Sequence, residues 1–410
     1  MKSVEHLIIG GGVAGTTCAE TLRQLDATCS VVIVSDEPYR LYSRIMLSKP
    51  NFFLEKIPFD NVWLKTEAWY KEKNIELILG KTATRLDFAK KEVTLNDGTV
   101  IGYKKLLLAI GGVVREWNVP VPKNGVHYLR TLDHAKGVIA NVKTAKQAIS
   151  VGGGFISFEM CEMMRMAGLD VTLVLRESHY WEPLLDEASG RIIERALEKG
   201  GVHILRNAEV AQVLGTDAVE GVILKDGSKL PCQMIIAGIG LVCPTDWIRD
   251  AGVAVGRGII ANEYLETNIP DVWAAGDAAE FHDVILGEQI QLGNWVNAQM
   301  HGRTAAMNMM GKHAEYKLVS FYTTQGFGIG IAFVGDVRPA ADRTIITRGS
   351  AESGAYGRIL IKDGEIIGAT LINRTNELGL LAKLIEKDVK VTGRESDLGN
   401  PAFDLKTLIP

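Results

Sequence analysis

Two glycine-rich turns in this chain have the spacing of a phosphate cradle. Gly10-x-Gly12-x-x-Gly15 follows an apolar strand over 7–9, and Gly152-x-Gly154-x-x-Ser157 repeats the pattern before a second helix. In such a turn one glycine makes the bend, one admits backbone close to a pyrophosphate, and the third lets helix pack on strand. Ser157 meets that third requirement because only a small side chain is needed there. The helix start then presents N–H groups and a partial positive charge to phosphate. An acid is expected about 20 residues on, at the end of the next strand, to bind ribose hydroxyls. "CSVVIVSDEP" supplies Asp36 and Glu37, with Ser35 in the usual slot if the strand spans 31–34. Spacing leaves either carboxylate open, and Asp36 is preferred. After the second turn a strand over 171–175 puts Leu175 in that slot, followed by Arg176 and Glu177. Arg176 suits a 2′-phosphate and Glu177 a 2′-hydroxyl, and the balance leans to NADH.

Two such turns imply two dinucleotides and an economical reading as a redox enzyme, with a decayed, structural second turn as the alternative. The chain of 410 residues is long enough for two or three domains. Hydrophobic residues at 47% and charged residues at 23% indicate a globular protein, and a net charge of −4 gives no case for nucleic acid. Cys18, Cys29, Cys161, Cys232 and Cys243 form no C-x-x-C pair and no His/Cys cluster, so zinc or iron–sulfur ligation is not expected. Their odd number and scatter fit a reducing cytoplasm. "MKSVEHLIIGGG" starts a strand at once, leaving no room for a signal peptide, and no apolar run is long enough to span a membrane.

The surrounding elements are also duplicated. Asn96-Asp97-Gly98 reads as a hairpin turn before an apolar strand over 106–110 that ends at Gly111-Gly112. Asp226-Gly227 and a strand ending in Gly238-Ile239-Gly240 repeat this after the second turn. The Met-rich run 160–166 reads as the packed face of a helix. In "TNIPDVWAAGDAAEF" a strand ends at Gly276-Asp277. That carboxylate could accept from sugar-alcohol hydroxyls, and a following helix would aim its N-terminus at phosphate. A simple helix cap is the alternative for Asp277. From 316 onward short strands dominate, with a hairpin at Lys362-Asp363-Gly364-Glu365 and one amphipathic stretch over 376–391. This predicts a third, α+β domain.

Taken in order, Gly10-x-Gly12-x-x-Gly15, "LLLAIGG", "GGGFISFE" and "TNIPDVWAAGD" resemble the two-dinucleotide-binding flavoprotein oxidoreductases of the glutathione-reductase-like fold, over essentially the whole chain. "DEPYRLYSRIMLSKP" is most similar to the ferredoxin, rubredoxin and nitrite reductase flavoproteins within that fold. The resemblance implies an α/β chain with two Rossmann-like domains and a C-terminal α+β interface domain. Residues 1–115 and 248–315 would form the FAD-binding domain, 116–247 the NAD(P)H-binding domain, and 316–410 the interface domain. The implied FAD contacts are Gly10, Gly12, Val13, Ala14, Gly15, Asp36, Glu37, Arg44, Lys49, Ala83, Ala109, Gly111, Gly276, Asp277, Asn294, Trp295 and Ala298. The implied NAD(P)H contacts are Gly152, Gly154, Phe155, Ile156, Glu159, Arg176, Glu177 and Gly240. By the same match Lys49 and Glu159 are catalytic: Glu159 would lie between flavin and nicotinamide and pair with Lys49. "NWVNAQMHGRTAA" and "FYTTQ" would close over the flavin ring, with Tyr322 where relatives often have tryptophan.

The chain also departs from the thiol-using members of that fold. No cysteine lies in 36–60, and the C-terminal His-Pro motif of disulfide reductases is missing. Thiol chemistry would have no nucleophile, and Cys18 and Cys29 read as packing residues. The expected activity is an FAD-dependent NAD(P)H:acceptor oxidoreductase. Its acceptor would be an iron–sulfur (ferredoxin-like) or rubredoxin-type carrier, or the iron–sulfur subunit of a larger complex. One alternative is a type II NADH:quinone reductase, which would need a membrane-binding amphipathic helix. The stretch 376–391 mixes Glu386 and Asp388 with its lysines and reads better as packed on its own sheet. The other alternative is a flavin-binding interaction protein with incidental turnover.

Overall fold

The computed structural model describes residues 2–410. They form two compact units: one comprises 2–43, 60–113 and 241–318, and the other 44–59, 114–240 and 319–410.

The first unit is built on a sheet whose central strand is Lys2–Ile9. It pairs in parallel with Val31–Ser35 on one side and with Val100–Leu108 on the other. Ile75–Leu79 extends one edge, and the antiparallel strands Glu92–Leu95 and Ala83–Asp87 extend the other. Val272–Ala274 joins Val100–Leu108 in parallel. A parallel sheet covered on both faces needs near-continuous apolar strands. Leu7, Ile8, Ile33 and Leu106 to Leu108 are accordingly inaccessible to solvent. Helix Val13–Leu25 follows the first glycine turn and lies against helix Trp295–Met309. Gly302 permits that approach, because a Cβ there would come within 2.1 Å of the Ala14 carbonyl oxygen.

The second unit repeats the parallel layout, with order Val202–Leu205, Asp170–Val174, Gln147–Val151, Met234–Ala237 and Val126–His127. Its helix Phe155–Met166 buries Met160, Met163 and Met164, while Met166 is exposed. The same unit holds an antiparallel sheet ordered Phe321–Gly326, Ile329–Gly335, Glu365–Ile372, Ala355–Lys362, Thr344–Ser350. Helix Leu378–Glu386 packs Leu381, Leu384 and Ile385 against this sheet. Its apolar face is thereby used up inside the domain.

Three local expectations need correcting. The strand expected over 106–110 begins at Val100 and stops at Leu108, and the one expected over 171–175 is Asp170–Val174. No helix follows Gly276-Asp277 directly. Gly276–Ala278 is a single short 3-10 turn, and the chain then leaves it extended as strand Ala279–Asp283. Pairing of that strand with Ile259–Ala261 and Glu288–Gln291 takes the backbone groups a helix would have used.

Candidate functional site

The first glycine turn is forced by close backbone contacts. Gly10 has φ +119° and would place a Cβ 2.1 Å from the Ala109 carbonyl oxygen, so the turn lies against the end of the neighbouring strand. A Cβ on Gly15 would come 2.0 Å from the Gly10 carbonyl oxygen, which fixes helix against turn. Gly12 differs, with open space on its Cβ side. It is the N-cap of Val13–Leu25, with no side-chain cap and no acidic residue in the first turn. Amides at that end point at whatever anion approaches.

Gly276, at φ +76°, would bring a Cβ to 3.2 Å from that of Ala14 and 3.7 Å from that of Ala298. The first turn, the Gly276-Asp277 turn and the Asn294-capped helix therefore meet at Ala14, Gly276 and Ala298. Asn294 caps that helix by accepting from the Asn297 amide at 2.8 Å, and Trp295 is its first residue. The Gly276 amide donates to His301 Nδ1 at 3.2 Å. His301 is fully enclosed, and burial lowers its pKa from 6.5 to about 3, so the ring is neutral and can accept. Ser35 sits beneath the turn, its Cβ 2.8 Å from where a Gly11 Cβ would lie. Glu37 accepts from the Tyr42 hydroxyl at 2.6 Å. Asp36 is exposed and accepts the Glu37 amide at 3.0 Å. Gly111 has φ +64° just past the strand end. Ala83 is buried in strand Ala83–Asp87, opposite Leu95 of the neighbouring antiparallel strand.

In the second unit Gly152, at φ +104°, would press a Cβ to 2.5 Å from the Gly238 carbonyl oxygen. Gly154 is the uncapped N-cap of Phe155–Met166, again with open space on its Cβ side and no acid in the first turn. Ser157 Oγ would be 2.4 Å from a Cβ on Gly238, so the small side chain sits where the third glycine is usual. The Tyr180 hydroxyl donates to the Gly154 carbonyl at 2.7 Å and braces the turn from behind. Ile156 lies in the first helical turn, and Phe155 before it meets Trp181 and Tyr322 at centroid distances of 4.5 and 3.7 Å. Arg176 is exposed and its Nε donates to Glu177 at 2.5 Å. Gly240 has φ +103°, and its carbonyl accepts the Arg115 amide at 3.0 Å.

Arg44 and Lys49 both belong to the second unit. Arg44 Nη1 donates to the Arg130 carbonyl at 2.7 Å. Glu159, one helical turn past Phe155, is 3% exposed and accepts from three side chains. Lys49 Nζ lies 2.6 Å and Thr324 Oγ1 2.7 Å from its Oε1, while Ser48 donates to Oε2. Pairing and hydrogen bonding compensate the burial of this charge. Burial raises the Tyr322 phenol well above its ordinary pKa, and the Glu159 charge adds to that shift. Cys161 and Cys232 are both pushed up to about 12 by burial, which suits packing and not nucleophilic chemistry.

Ser48, Thr324, Tyr180, Tyr42 and His301 were not identified from sequence. Ser48 adjoins Lys49 and Thr324 lies two residues from Tyr322, but hydroxyls carry little pattern of their own.

The chain matches the family described as pyridine nucleotide-disulphide oxidoreductase over residues 4–302. It belongs to that family. Residues 320–409 match the domain described as reductase C-terminal. The oxidoreductase is 30% identical over 401 residues to the biphenyl dioxygenase system ferredoxin–NAD(+) reductase component of Paraburkholderia xenovorans, covering 97% of each chain. It is 27% identical over 398 residues to the nitrite reductase [NAD(P)H] of Bacillus subtilis, covering 96% of this chain but 48% of that relative, or about half its length. The crystal structure of a covalent putidaredoxin reductase–putidaredoxin complex superposes with a TM-score of 0.92 at 26% identity, covering 100% of this chain and 98% of that one.

Membership implies FAD and a pyridine nucleotide. The residues present fit both. Each glycine turn leaves its middle glycine open and ends on an uncapped helix N-terminus with no acid in its first turn. Among the described residues, no helix is long and apolar enough to cross a membrane.

Proposed function

We propose that this chain is an FAD-dependent NAD(P)H:acceptor oxidoreductase whose flavin delivers electrons singly to an iron–sulfur (ferredoxin-like) or rubredoxin-type protein. That acceptor is a separate carrier or a neighbouring subunit of a larger complex. The observation that carries the reading is the pairing of Lys49 with Glu159, the latter on the helix that opens from the second dinucleotide turn, in a chain with no cysteine in 36–60. Relatives whose names include ferredoxin reductases and a putidaredoxin complex support the acceptor class.

Bound FAD would accept hydride from nicotinamide and release electrons one at a time. In this reading the first unit holds FAD. Gly10, Gly12, Val13, Ala14 and Gly15 approach the pyrophosphate, and Asp36 binds ribose because Glu37 is engaged by Tyr42. Asp277 would take the ribityl hydroxyls, with Ala83, Ala109, Gly111, Asn294, Trp295 and Ala298 as further walls. Gly152, Gly154, Ile156 and Gly240 serve the second dinucleotide, and Phe155 shields the nicotinamide. Glu177 beside Arg176 leans the choice to NADH. By the resemblance Arg44 would serve the flavin cofactor, and Lys49 would contribute positive charge that favours its reduced, anionic form. Five cysteines, odd in number and scattered with no C-x-x-C pair, suit a reducing cytoplasm.

A quinone acceptor is disfavoured because helix Leu378–Glu386 spends its apolar residues on its own sheet. The test is anaerobic mixing of the yellow protein with NADH or NADPH, followed by reoxidation with ferredoxin, rubredoxin, quinone or a disulfide. Fast reduction by NADH with fast reoxidation by an iron–sulfur or rubredoxin-type protein is expected. Efficient turnover with a disulfide would refute the reading.

A further inference from the structure

We propose that Thr324, carried by the C-terminal sheet, is a positioning residue for the Lys49–Glu159 pair. It keeps the Glu159 carboxylate aimed at Lys49.

Strand Phe321–Gly326 meets helix Phe155–Met166 with matched periods. Residues 322, 324 and 326 share one face of the strand, and 155, 159 and 162 form one stripe of the helix. Tyr322 lies on Phe155 with centroids 3.7 Å apart, and Thr324 Oγ1 donates to Glu159 Oε1 at 2.7 Å. Gly326 ends the series, where a Cβ would come 2.8 Å from the Phe158 ring and 3.0 Å from Glu162. Glu162 in turn accepts the Phe327 amide at 2.7 Å. The alternate residues Thr323 and Gln325 are exposed. A slip of one residue would turn one of them toward Glu159 and lose every one of these contacts. The strand register therefore selects one hydroxyl for one carboxylate oxygen.

That oxygen is also the one Lys49 uses, at 2.6 Å, while Ser48 holds the other. Tyr322 on the strand and Tyr180 are titratable neighbours of Glu159, and Glu162 is a second carboxylate on the same helical stripe. Burial raises both phenols and keeps them neutral. Lys49 is thus the charged partner that faces the carboxylate, and Ser48 and Thr324 are its neutral donors. A hydrogen bond to a charged group favours the ionised form by roughly 10- to 100-fold. Through Thr324 the C-terminal domain takes part in holding the pair.

The kinetic part of the test rests on the proposed role of the pair in flavin reduction, and the infrared part does not. In Thr324→Val the acid limb of flavin reduction by NADH moves about one to two pH units alkaline, the same fold-change expressed as proton affinity. Thr324→Ser returns it to the wild-type position. In infrared titration of the full chain, the band of the protonated buried carboxyl is assigned by its loss in Glu159→Gln. In Thr324→Val that band persists to a correspondingly higher pH. Coincident infrared titrations of Thr324→Val and wild type would overturn the proposal. If NADH fails to reduce the flavin, the role assigned to the pair falls, and the infrared result still decides the role of Thr324. Should Thr324→Val not fold, Thr324→Ala is carried through the same titration with the same two outcomes.

Discussion

Acid should destabilise this protein well before its carboxylates protonate, and His301 is the principal reason. The ring is fully enclosed beside Phe281 and Tyr316, with centroids at 4.5 and 4.2 Å, and accepts the Gly276 amide at 3.2 Å. Burial takes its pKa from 6.5 to about 3. Unfolding restores the ordinary value, so below pH 6.5 the unfolded chain binds a proton that the folded chain refuses. Stability from the neutral ring is complete above pH 6.5 and falls with pH until about 3. One pKa unit corresponds to about 1.4 kcal/mol, so acidification to about pH 5 should remove about 2 kcal/mol through His301 alone. His6, taken to about 4 mainly by burial with Lys105 adding, acts in the same direction. The Glu5 and Asp26 charges offset part of its shift. His301→Gln keeps an acceptor for the Gly276 amide but cannot titrate. Urea unfolding of the wild type and His301→Gln at pH 7.5 and 5.0 measures the difference. The wild type should lose about 2 kcal/mol more than the variant between these conditions. Equal losses would show that His301 is not held neutral by the fold, and the argument from burial would fail.

Four further outcomes follow from contacts in the structure. Lys49→Met should slow anaerobic flavin reduction at least roughly 10-fold by removing one charged interaction; an unchanged stopped-flow rate would remove Lys49 from the reaction. Gly12→Ala should fold normally, because a Cβ there meets nothing within 4 Å, yet bind FAD more weakly in fluorescence titration. Gly10→Ala should lower the melting temperature by pressing a Cβ to 2.1 Å from the Ala109 carbonyl. Arg348→Leu should cost about 1–3 kcal/mol in denaturant unfolding for each enclosed carbonyl left without a donor, while Arg374, with Nε 3.0 Å from Oε2, still pairs with Glu377. Arg348 is 2% exposed, pairs with Glu377 at 3.1 Å and donates to the Leu398 and Phe403 carbonyls at 3.0 and 2.8 Å.

The two glycine turns were legible in the sequence because their constraint is local. Gly10, Gly15 and Gly152 are demanded by backbone atoms next to them or at the end of an adjoining strand, and helix and strand periodicity surrounds each turn. The same locality exposed the duplicated hairpins and the C-terminal α+β domain. Gly276-Asp277 was legible as a strand end but not as a 3-10 turn, because the pairing partners of Ala279–Asp283 lie on other segments. The surroundings of Glu159 were legible only in part. Lys49 and Glu159 were reached through resemblance, whereas Ser48 and Thr324 carry hydroxyls that fit any surface position equally well. Thr324 arrives 165 residues downstream of the glutamate it serves. His301 likewise reads as an ordinary helix residue until the fold encloses it beside the Gly276 amide. Residue type and spacing determined the phosphate cradles, because backbone sterics act over a few residues. Tertiary structure decided which hydroxyl reaches which carboxylate, because that depends on sheet register and helix facing across distant parts of the chain.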